Sequence, residues 1–476
     1  MIAWQTQTVA RILQAELIGD PDVEVKGCVL DSRLVQGGEI FMAFSGQKAD
    51  GSSFISSAWE RGAVLAIAEA ANIKEQSEIL KVPKGKALIF VASAAAALQE
   101  LARVRRRELG AGVIGVTGSN GKTTTKDMLA AVLSQKYKVY KNIENQNNEL
   151  GLPLTILNAP AGTEMLVLEM GMRGLKEIQA LCKIAQPDTG VITNIGISHL
   201  ELLGTQENIA RAKWELIDSL PAGGRAILNA EDLYSCQKAQ SLQIPVLYYG
   251  LAGKYHLPDV QGKNLRHFGT LGTAFTVTYA RQRAEVELPL PGEHNVLNAL
   301  AALTVGIEWG VPLKVGAAGL AGLEISKMRL EVLEGIQNSV LISDVYNANP
   351  VSMLASLRVL KERAAGKPTL AVLGEMYELG SNCQAGHQEV GEAAAELGIS
   401  RLITVGKMAD EIARGAQNAG FPGQALEICA TLEEAGQKAV RVLADLKSGT
   451  WVLIKGSRGM KMEEIVTRLR KKEGKD

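Results

Sequence analysis

Two hydrophobic periodicities alternate along almost the whole chain. Short β-branched runs of strand length are separated by stretches whose apolar residues return every three or four positions, the spacing of a helix with one buried face. In the first hundred residues, VKGCVLDSR, GEIFMAF, AVLAIA and ALIFVAS read as strands and GSSFISSAWERG as a short helix. SAAAALQELARVRRREL is built of strong helix formers and predicts a helix leading into the next unit. There, GVIGVTG, MLVLEMG, DTGVITNIG, RAILNA and PVLYYG read as strands, residues from about 262 to 291 as hairpins, and EHNVLNALAALTVGIEWG as the helix that closes the unit. A third series, VLISDVY, TLAVLGEM, RLITVG and WVLIKG, again alternates with helices. The pattern predicts an α/β protein of three domains: a small N-terminal α/β domain (1–100), a central domain with a mainly parallel sheet (101–325) and a C-terminal Rossmann-like doubly wound domain (326–476).

The length of 476 residues agrees with roughly three domains of about 150 residues each. The 51 basic and 51 acidic residues cancel, so neither nucleic acid nor an anionic membrane is expected as a partner, and any bound anion must be held by a local site. Five scattered cysteines, none in CxxC spacing, argue against a disulfide framework or a cysteine-rich zinc site. The first twenty residues lack the basic start and apolar run of a signal peptide, and no apolar run reaches the ~18–20 residues of a membrane span. The expectation is a cytoplasmic, monomeric protein without membrane insertion.

The most informative segment is GVIGVTGSNGKTTTKDMLAAVL. A β-branched strand runs through Thr117 into Gly118, Ser119, Asn120, Gly121, Lys122, Thr123 and Thr124, where a helix begins. Glycines let successive backbone N–H groups converge on phosphate oxygens, and the helix start adds its positive end. Lys122 is placed for the β- and γ-phosphates of a nucleotide, and the Thr123 hydroxyl for Mg²⁺. The loop is a variant, since Val116 stands at the first glycine position of the general motif. A central P-loop ATPase-like domain follows. Just upstream, Gly110, Gly112 and Gly115 spell GxGxxG, but before the strand instead of after it, so this is a loop leading into the strand.

An ATP–Mg²⁺ site needs further ligands, and in an open α/β sheet they gather at the carboxyl ends of strands. Glu169 ends one strand and His199 lies a few residues beyond another. In ENIARAKWELIDSL, Lys213 falls on the apolar stripe of Ile209, Leu216 and Leu220. Such a lysine either snorkels to water or, if buried, becomes a neutral amine able to take up CO₂ as a carbamate. Arg103 and Arg105 to Arg107 suit phosphate or, as the plainer reading, a solvated helix face. His294 reads as a helix-start residue and His387 as a surface or helix N-terminal one, while Lys455, Ser457 and Arg458 suit either an acidic substrate or a strand-to-helix turn.

Taken in order, TGSNGKTTTK, LEMGMR, TNIGISHLELLGTQENIARAKWEL, GEHNVLNALAAL and DVYNANPVSM resemble the Mur ligases of peptidoglycan synthesis, over essentially the whole chain. LDSRLVQGGEIFMAFSGQKADGSSF resembles their uridine-nucleotide-binding domain. The resemblance implies ATP- and Mg²⁺-dependent amide formation through an acyl phosphate. DVYNANPVSM and LGEMYELG resemble the member that adds D-alanyl-D-alanine to UDP-MurNAc-tripeptide, and no DNPR-type signature of the member adding the third residue is present. Folylpolyglutamate synthetases share the ATP core but lack such an N-terminal domain.

By the same resemblance, Lys122, Glu169, His199 and Lys213 carry the chemistry, with Thr123, Glu169, His199 and a carbamylated Lys213 at the metal. Asn298, Arg329, Asp344, Tyr346 and Asn347 join the loop residues at ATP, and Ser32, Arg33, Asn147 and Asn148 contact the UDP-sugar peptide. The alternatives are another Mur ligase adding a single amino acid, a P-loop kinase or NTPase, and a non-catalytic nucleotide-binding module.

Overall fold

In the computed structural model, residues 4–45, 50–70, 81–143, 146–268, 272–323, 328–446 and 449–471 are described. They form three α/β units, each around its own sheet. The first sheet runs Leu17–Gly19, Ala87–Val91, Leu65–Glu69, Glu39–Ala43, Gly27–Val29, with all neighbours parallel except the first pair. In the nine-stranded central sheet seven strands are parallel, and the last of them, Val260–Phe268, continues into the antiparallel strands Gly272–Tyr279 and Gln282–Leu288. The last sheet is parallel apart from its edge strand Glu331–Glu334. All the strands read from the sequence are present. The helix expected to close the central unit, Glu293–Glu308, is followed by another, Leu313–Ala321, whose apolar face packs on the same core.

One strand arrangement positions the site. Gly112–Thr117 lies between Met165–Glu169 and Thr189–Ile192, both parallel to it, with Val116 opposite Glu169 and Thr117 opposite Ile192. The chain leaves this strand toward one edge of the sheet, to Val139–Lys141, and leaves the neighbouring Met165–Glu169 in the opposite direction, to Thr189–Ile192. That makes the carboxyl ends of the two strands a switch point, where a crevice opens between diverging loops. Parallel strands buried on both faces need continuous apolar side chains, and Val113, Ile114, Val116, Leu166, Val167 and Leu168 supply them at 0% exposure.

The helix Ala94–Leu109 joins the first unit to the second by sharing a core with both: Leu98 and Leu101 are buried with residues of the first sheet and with Leu152 and Ile156 of the central unit. Two of its arginines, Arg105 and Arg106, correct the sequence reading of a solvated face, while Arg107 is exposed as that reading expects. Arg105 is buried and donates to the carbonyl of Ala159, which ends the helix Gly151–Asn158. Arg106 donates to the carbonyls of Ala185 and Gln186, at the end of Glu177–Ala185. Cations at the negative ends of two helices satisfy carbonyls that have no helical partner. A second dock ties the first sheet to the centre: the side chain of Asn158 accepts from Cys28 N–H and donates to Cys28 C=O, both at 2.9 Å, standing in for a further strand on the sheet edge.

Replacing Asn158 by Ala removes both bonds and leaves a partly buried strand edge unsatisfied. The Cys28 amide is expected to lose about 1–3 kcal/mol of hydrogen-exchange protection. Unchanged exchange at Cys28 would show that the edge is held by packing alone.

Candidate functional site

The phosphate loop is shaped by what it packs against. A Cβ on Gly118 would sit 1.8 Å from Thr193 Oγ1, so only glycine allows the loop to lie against the end of the neighbouring strand. That strand end then clamps the loop. Ser119 N–H donates to Asn194 C=O, Asn120 N–H to Asn194 Oδ1, and Asn194 Nδ2 and Thr193 Oγ1 both donate to Asn120 C=O. Asn298, on the helix Glu293–Glu308, packs against Gly121 from the other side and is itself held by Asn295. The loop is therefore pre-organised, with the start of Lys122–Leu133 behind it.

Thr123, in the first turn of the helix Lys122–Leu133, meets Glu169 at the end of the strand Met165–Glu169: its hydroxyl donates to Glu169 Oε2 at 2.7 Å. Asn147 donates to Glu169 Oε1 at 2.8 Å, and Asn142 brackets the Glu169 backbone on both sides. Arg329, from the third unit, donates to the same Thr123 oxygen at 2.8 Å and lies 4.1 Å from the centre of the Tyr346 ring. Arg329 thus reaches the phosphate loop while its guanidinium is fixed by an aromatic face. Asn349, which caps the helix Pro350–Ala364, bridges Asn120 Oδ1 at 2.6 Å and Ser198 Oγ at 3.1 Å. The third unit is seated directly on the loop.

Lysines dominate the electrostatics. Lys122 folds back on Gly118 C=O at 2.8 Å; burial lowers its pKa, with Glu169 opposing and Arg329 adding to the fall. Lys213 is only 1% exposed, which excludes snorkelling. Burial, reinforced by the charge of Lys122, drives its pKa well below the ordinary lysine value. His199 is lowered by burial and by the charges of Lys122 and Lys213, against the pull of Glu378, whose Oε2 lies 2.6 Å from His199 Nδ1. Burial alone would raise the Asp344 carboxyl, but Lys455 at 2.5 Å, Ser356 and Arg329 outweigh it and hold it below its usual value. His294, near this pair, is pushed down to about 4 by burial.

These groups line one cleft of about 920 Å³, large enough for a nucleotide and an acceptor together. It gathers Thr117 to Thr124, Glu169, His199, Lys213, Asn298, Arg329, Asp344, Tyr346 and Asn347, along with Asn147 and Asn148. Asn148 also caps the helix Gly151–Asn158 through Gly151 N–H. Ser32 and Arg33 do not line this cleft: Arg33 is exposed and paired to Asp31, whose carboxyl it holds down to about 2. Lys455 is taken up by Asp344 and Asn347, and Ser457 by the N–H of Tyr377, which leaves Arg458 with an exposed head paired to Glu463. His387 is fully buried, which corrects its reading as a surface residue, and it lies near the start of the helix Cys383–Glu396, as the other reading had it. Glu378, Asn349, Asn194 and Ser198 were not singled out in the sequence. Asn349-Pro350 is a helix-start signal, but its reach to the loop depends on the fold.

Among the described residues no three His, Cys, Asp or Glu side chains cluster as a ready metal site. The available donor set is instead the Thr123 hydroxyl, the Glu169 carboxylate, His199 and the Lys213 amine. The paired hard oxygens of Thr123 and Glu169 suit Mg²⁺. No helix among these residues is long and apolar enough to cross a membrane.

A phosphate loop completed by a third α/β unit is found in known proteins. Residues 24–106 match the model described as Mur ligase family, catalytic domain; 116–306 match the Mur ligase middle domain; 328–458 match the Mur ligase, glutamate ligase domain. The chain is 37% identical to the UDP-N-acetylmuramoyl-tripeptide–D-alanyl-D-alanine ligase of Bacillus subtilis, over 98% of each chain. It is 32% identical to the Escherichia coli ligase of the same name, over 98% of this chain and 99% of the other. MurF from Acinetobacter baumannii superposes with a TM-score of 0.86 at 28% identity, covering 98% of both chains. MurF ligase from Thermotoga maritima, solved in complex with ADP, superposes with a TM-score of 0.76 at 29% identity, over 93% of this chain and 97% of that one. With its three units matched in order and its whole length aligned to these enzymes, the chain belongs to the Mur ligase family.

Proposed function

We propose that the protein is the ATP-dependent ligase that joins D-alanyl-D-alanine to UDP-MurNAc-tripeptide, a cytoplasmic step of peptidoglycan precursor synthesis. Whole-length likeness to ligases of that name supports the substrate pair. The geometric observation that carries the chemistry is the Thr123 hydroxyl, held between the Glu169 carboxylate and the Arg329 guanidinium on a phosphate loop.

In the first step, an oxygen of the tripeptide's terminal carboxylate bonds to the γ-phosphorus of ATP, and the bond to the β–γ bridging oxygen breaks with its electrons going to ADP. Two anions must approach, so the charge of Lys122, the loop N–H groups and Arg329 offset their repulsion and align them. In the second step, the dipeptide amine attacks the acyl carbon. The C–N bond forms, the C–O bond to phosphate breaks, inorganic phosphate leaves and the amine loses a proton. Thr123, Glu169, His199 and a carbamylated Lys213 are the residues suited to hold Mg²⁺, which supplies charge neutralisation between the phosphates and the carboxylate. Asp344, Tyr346, Asn347 and Asn298 border the nucleotide. Asn147 and Asn148, and at more distance Ser32 and Arg33, belong to the side on which the UDP-sugar peptide lies. Seating the third unit by Asn349 and Arg329 excludes water, the competing nucleophile.

Lys213 has the properties the carbamate requires. Its neutral amine bonds to the carbon of CO₂ and releases a proton, so that a neutral group becomes an anion beside the charge of Lys122. A lowered pKa makes the amine available at neutral pH, where an ordinary lysine is protonated.

Two outcomes are expected. With ATP and UDP-MurNAc-tripeptide, ADP release rises when D-alanyl-D-alanine is added and stays near background with a single diamino acid; amine-independent ADP release would place the protein among kinases or NTPases. Intact mass under gentle, neutral conditions shows one added CO₂ that is lost on acidification and absent in Lys213→Ala. That variant loses on the order of 10²–10³-fold in rate. Full activity in Lys213→Ala would remove the carbamate.

A further inference from the structure

The third unit delivers an acid, Glu378, to a histidine of the central unit. Their contact is direct, with Glu378 Oε2 and His199 Nδ1 2.6 Å apart across 179 positions of sequence. Both residues adopt left-handed backbone conformations, His199 at φ 65° and Glu378 at φ 61°. Side chains other than glycine, asparagine and aspartate seldom occupy that region, and when they do the surroundings must enforce it. Here the enforcement is visible.

Residues 374–380, Gly-Glu-Met-Tyr-Glu-Leu-Gly, form a loop strapped at four points. The Met376 N–H donates to Nε2 of buried His387, whose Nδ1 is bonded to Cys383 C=O. The Tyr377 N–H donates to Ser457 Oγ. Ser457 N–H donates to Glu375 C=O, and the Glu375 carboxylate accepts from Lys407 N–H. At the far end, Gly380 passes so close to the helical turn Leu200–Leu203 that a Cβ there would lie 2.9 Å from Glu201 Cα. None of these contacts uses the Glu378 side chain, which is left free to reach His199.

We propose that Glu378 is a positioning residue: it accepts the Nδ1 proton of His199 in a hydrogen bond, fixes the ring in the tautomer whose Nε2 lone pair is available, and so completes the central site only when the third unit is seated. A neutral imidazole with Nδ1–H held by a carboxylate presents an unprotonated Nε2, the form in which histidine serves as a ligand. Domain seating and preparation of the site thereby become one event. This rests on the reading of His199 as a group that serves bound Mg²⁺–ATP, and it adds a control that residues of the central unit alone cannot provide.

The test uses the full chain labelled with ¹⁵N in its histidine rings. There are five histidines, and His199→Asn assigns the signal of interest. In the wild type, His199 should show a protonated Nδ1 and an unprotonated Nε2. Glu378→Ala should turn it into a mixture of tautomers, while Glu378→Gln, which retains an accepting oxygen, should keep most of the wild-type pattern. In the ADP-release assay, the Mg²⁺ concentration for half-maximal rate should rise by roughly 10–100-fold in Glu378→Ala, with a smaller change in the rate at saturating Mg²⁺ and substantial recovery in Glu378→Gln. An unchanged His199 ring signal in Glu378→Ala overturns the proposal, as does an unchanged Mg²⁺ requirement in an enzyme that turns over. If no form of the protein releases ADP, the ligase reading fails, and the ring signal alone decides the role of Glu378.

Discussion

Buried cationic groups that repel one another govern this cleft. Lys122 and Lys213 lie close enough to feel each other's charge, Arg329 adds to the repulsion on Lys122, and Glu169 is the acid that opposes it. Lys213 faces no compensating carboxylate of comparable effect. A buried amine beside a like charge either gives up its proton or stays a costly cation, and a bound anion relieves the repulsion in both cases. The overall charge of the chain is zero, so this local excess reflects the site and not the surface. A triphosphate is the kind of anion that resolves it, and the carbamate proposed for Lys213 would resolve it further by turning one of the amines into an acid.

The rest of the structure holds this unfavourable group of charges in place. Three parallel strand ends set Thr117, Glu169 and Thr193 side by side, and hydrogen bonds from Asn194 and the packing of Asn298 lock the loop between them. The third unit then supplies Arg329, Asn349 and Glu378 from three separate segments. A site divided in this way is complete only when the units are together, which suits a reaction whose acyl phosphate must meet an amine before water.

Legibility in the sequence followed locality. The phosphate loop could be read because strand, glycines, lysine and helix are contiguous. Glu169 was accessible through strand-end logic, and Lys213 through its place on an apolar helical stripe, although periodicity could not separate burial from snorkelling. Arg105 and Arg106 were misread because a basic helix face looks the same whether it meets water or the carbonyl ends of two other helices. The burial of His387 was illegible for a related reason: its partner, the Met376 N–H, lies in a loop whose path no pattern reveals. Glu378 and Asn349 carry the same lesson further, since each acts across about two hundred residues of chain. Ser32 and Arg33 follow a strand end as read, but no residue pattern fixed how far they stand from the ATP cleft.

The charge imbalance can be tested most directly by comparing equilibrium unfolding of the wild type and Lys122→Met, with and without Mg²⁺–ATP. Removing a cation that the empty cleft cannot pair should leave the nucleotide-free protein at least as stable as the wild type, while abolishing the stabilisation that nucleotide confers. A variant less stable without nucleotide, yet stabilised by ATP as much as the wild type, would contradict the claim that these amines wait for a polyphosphate.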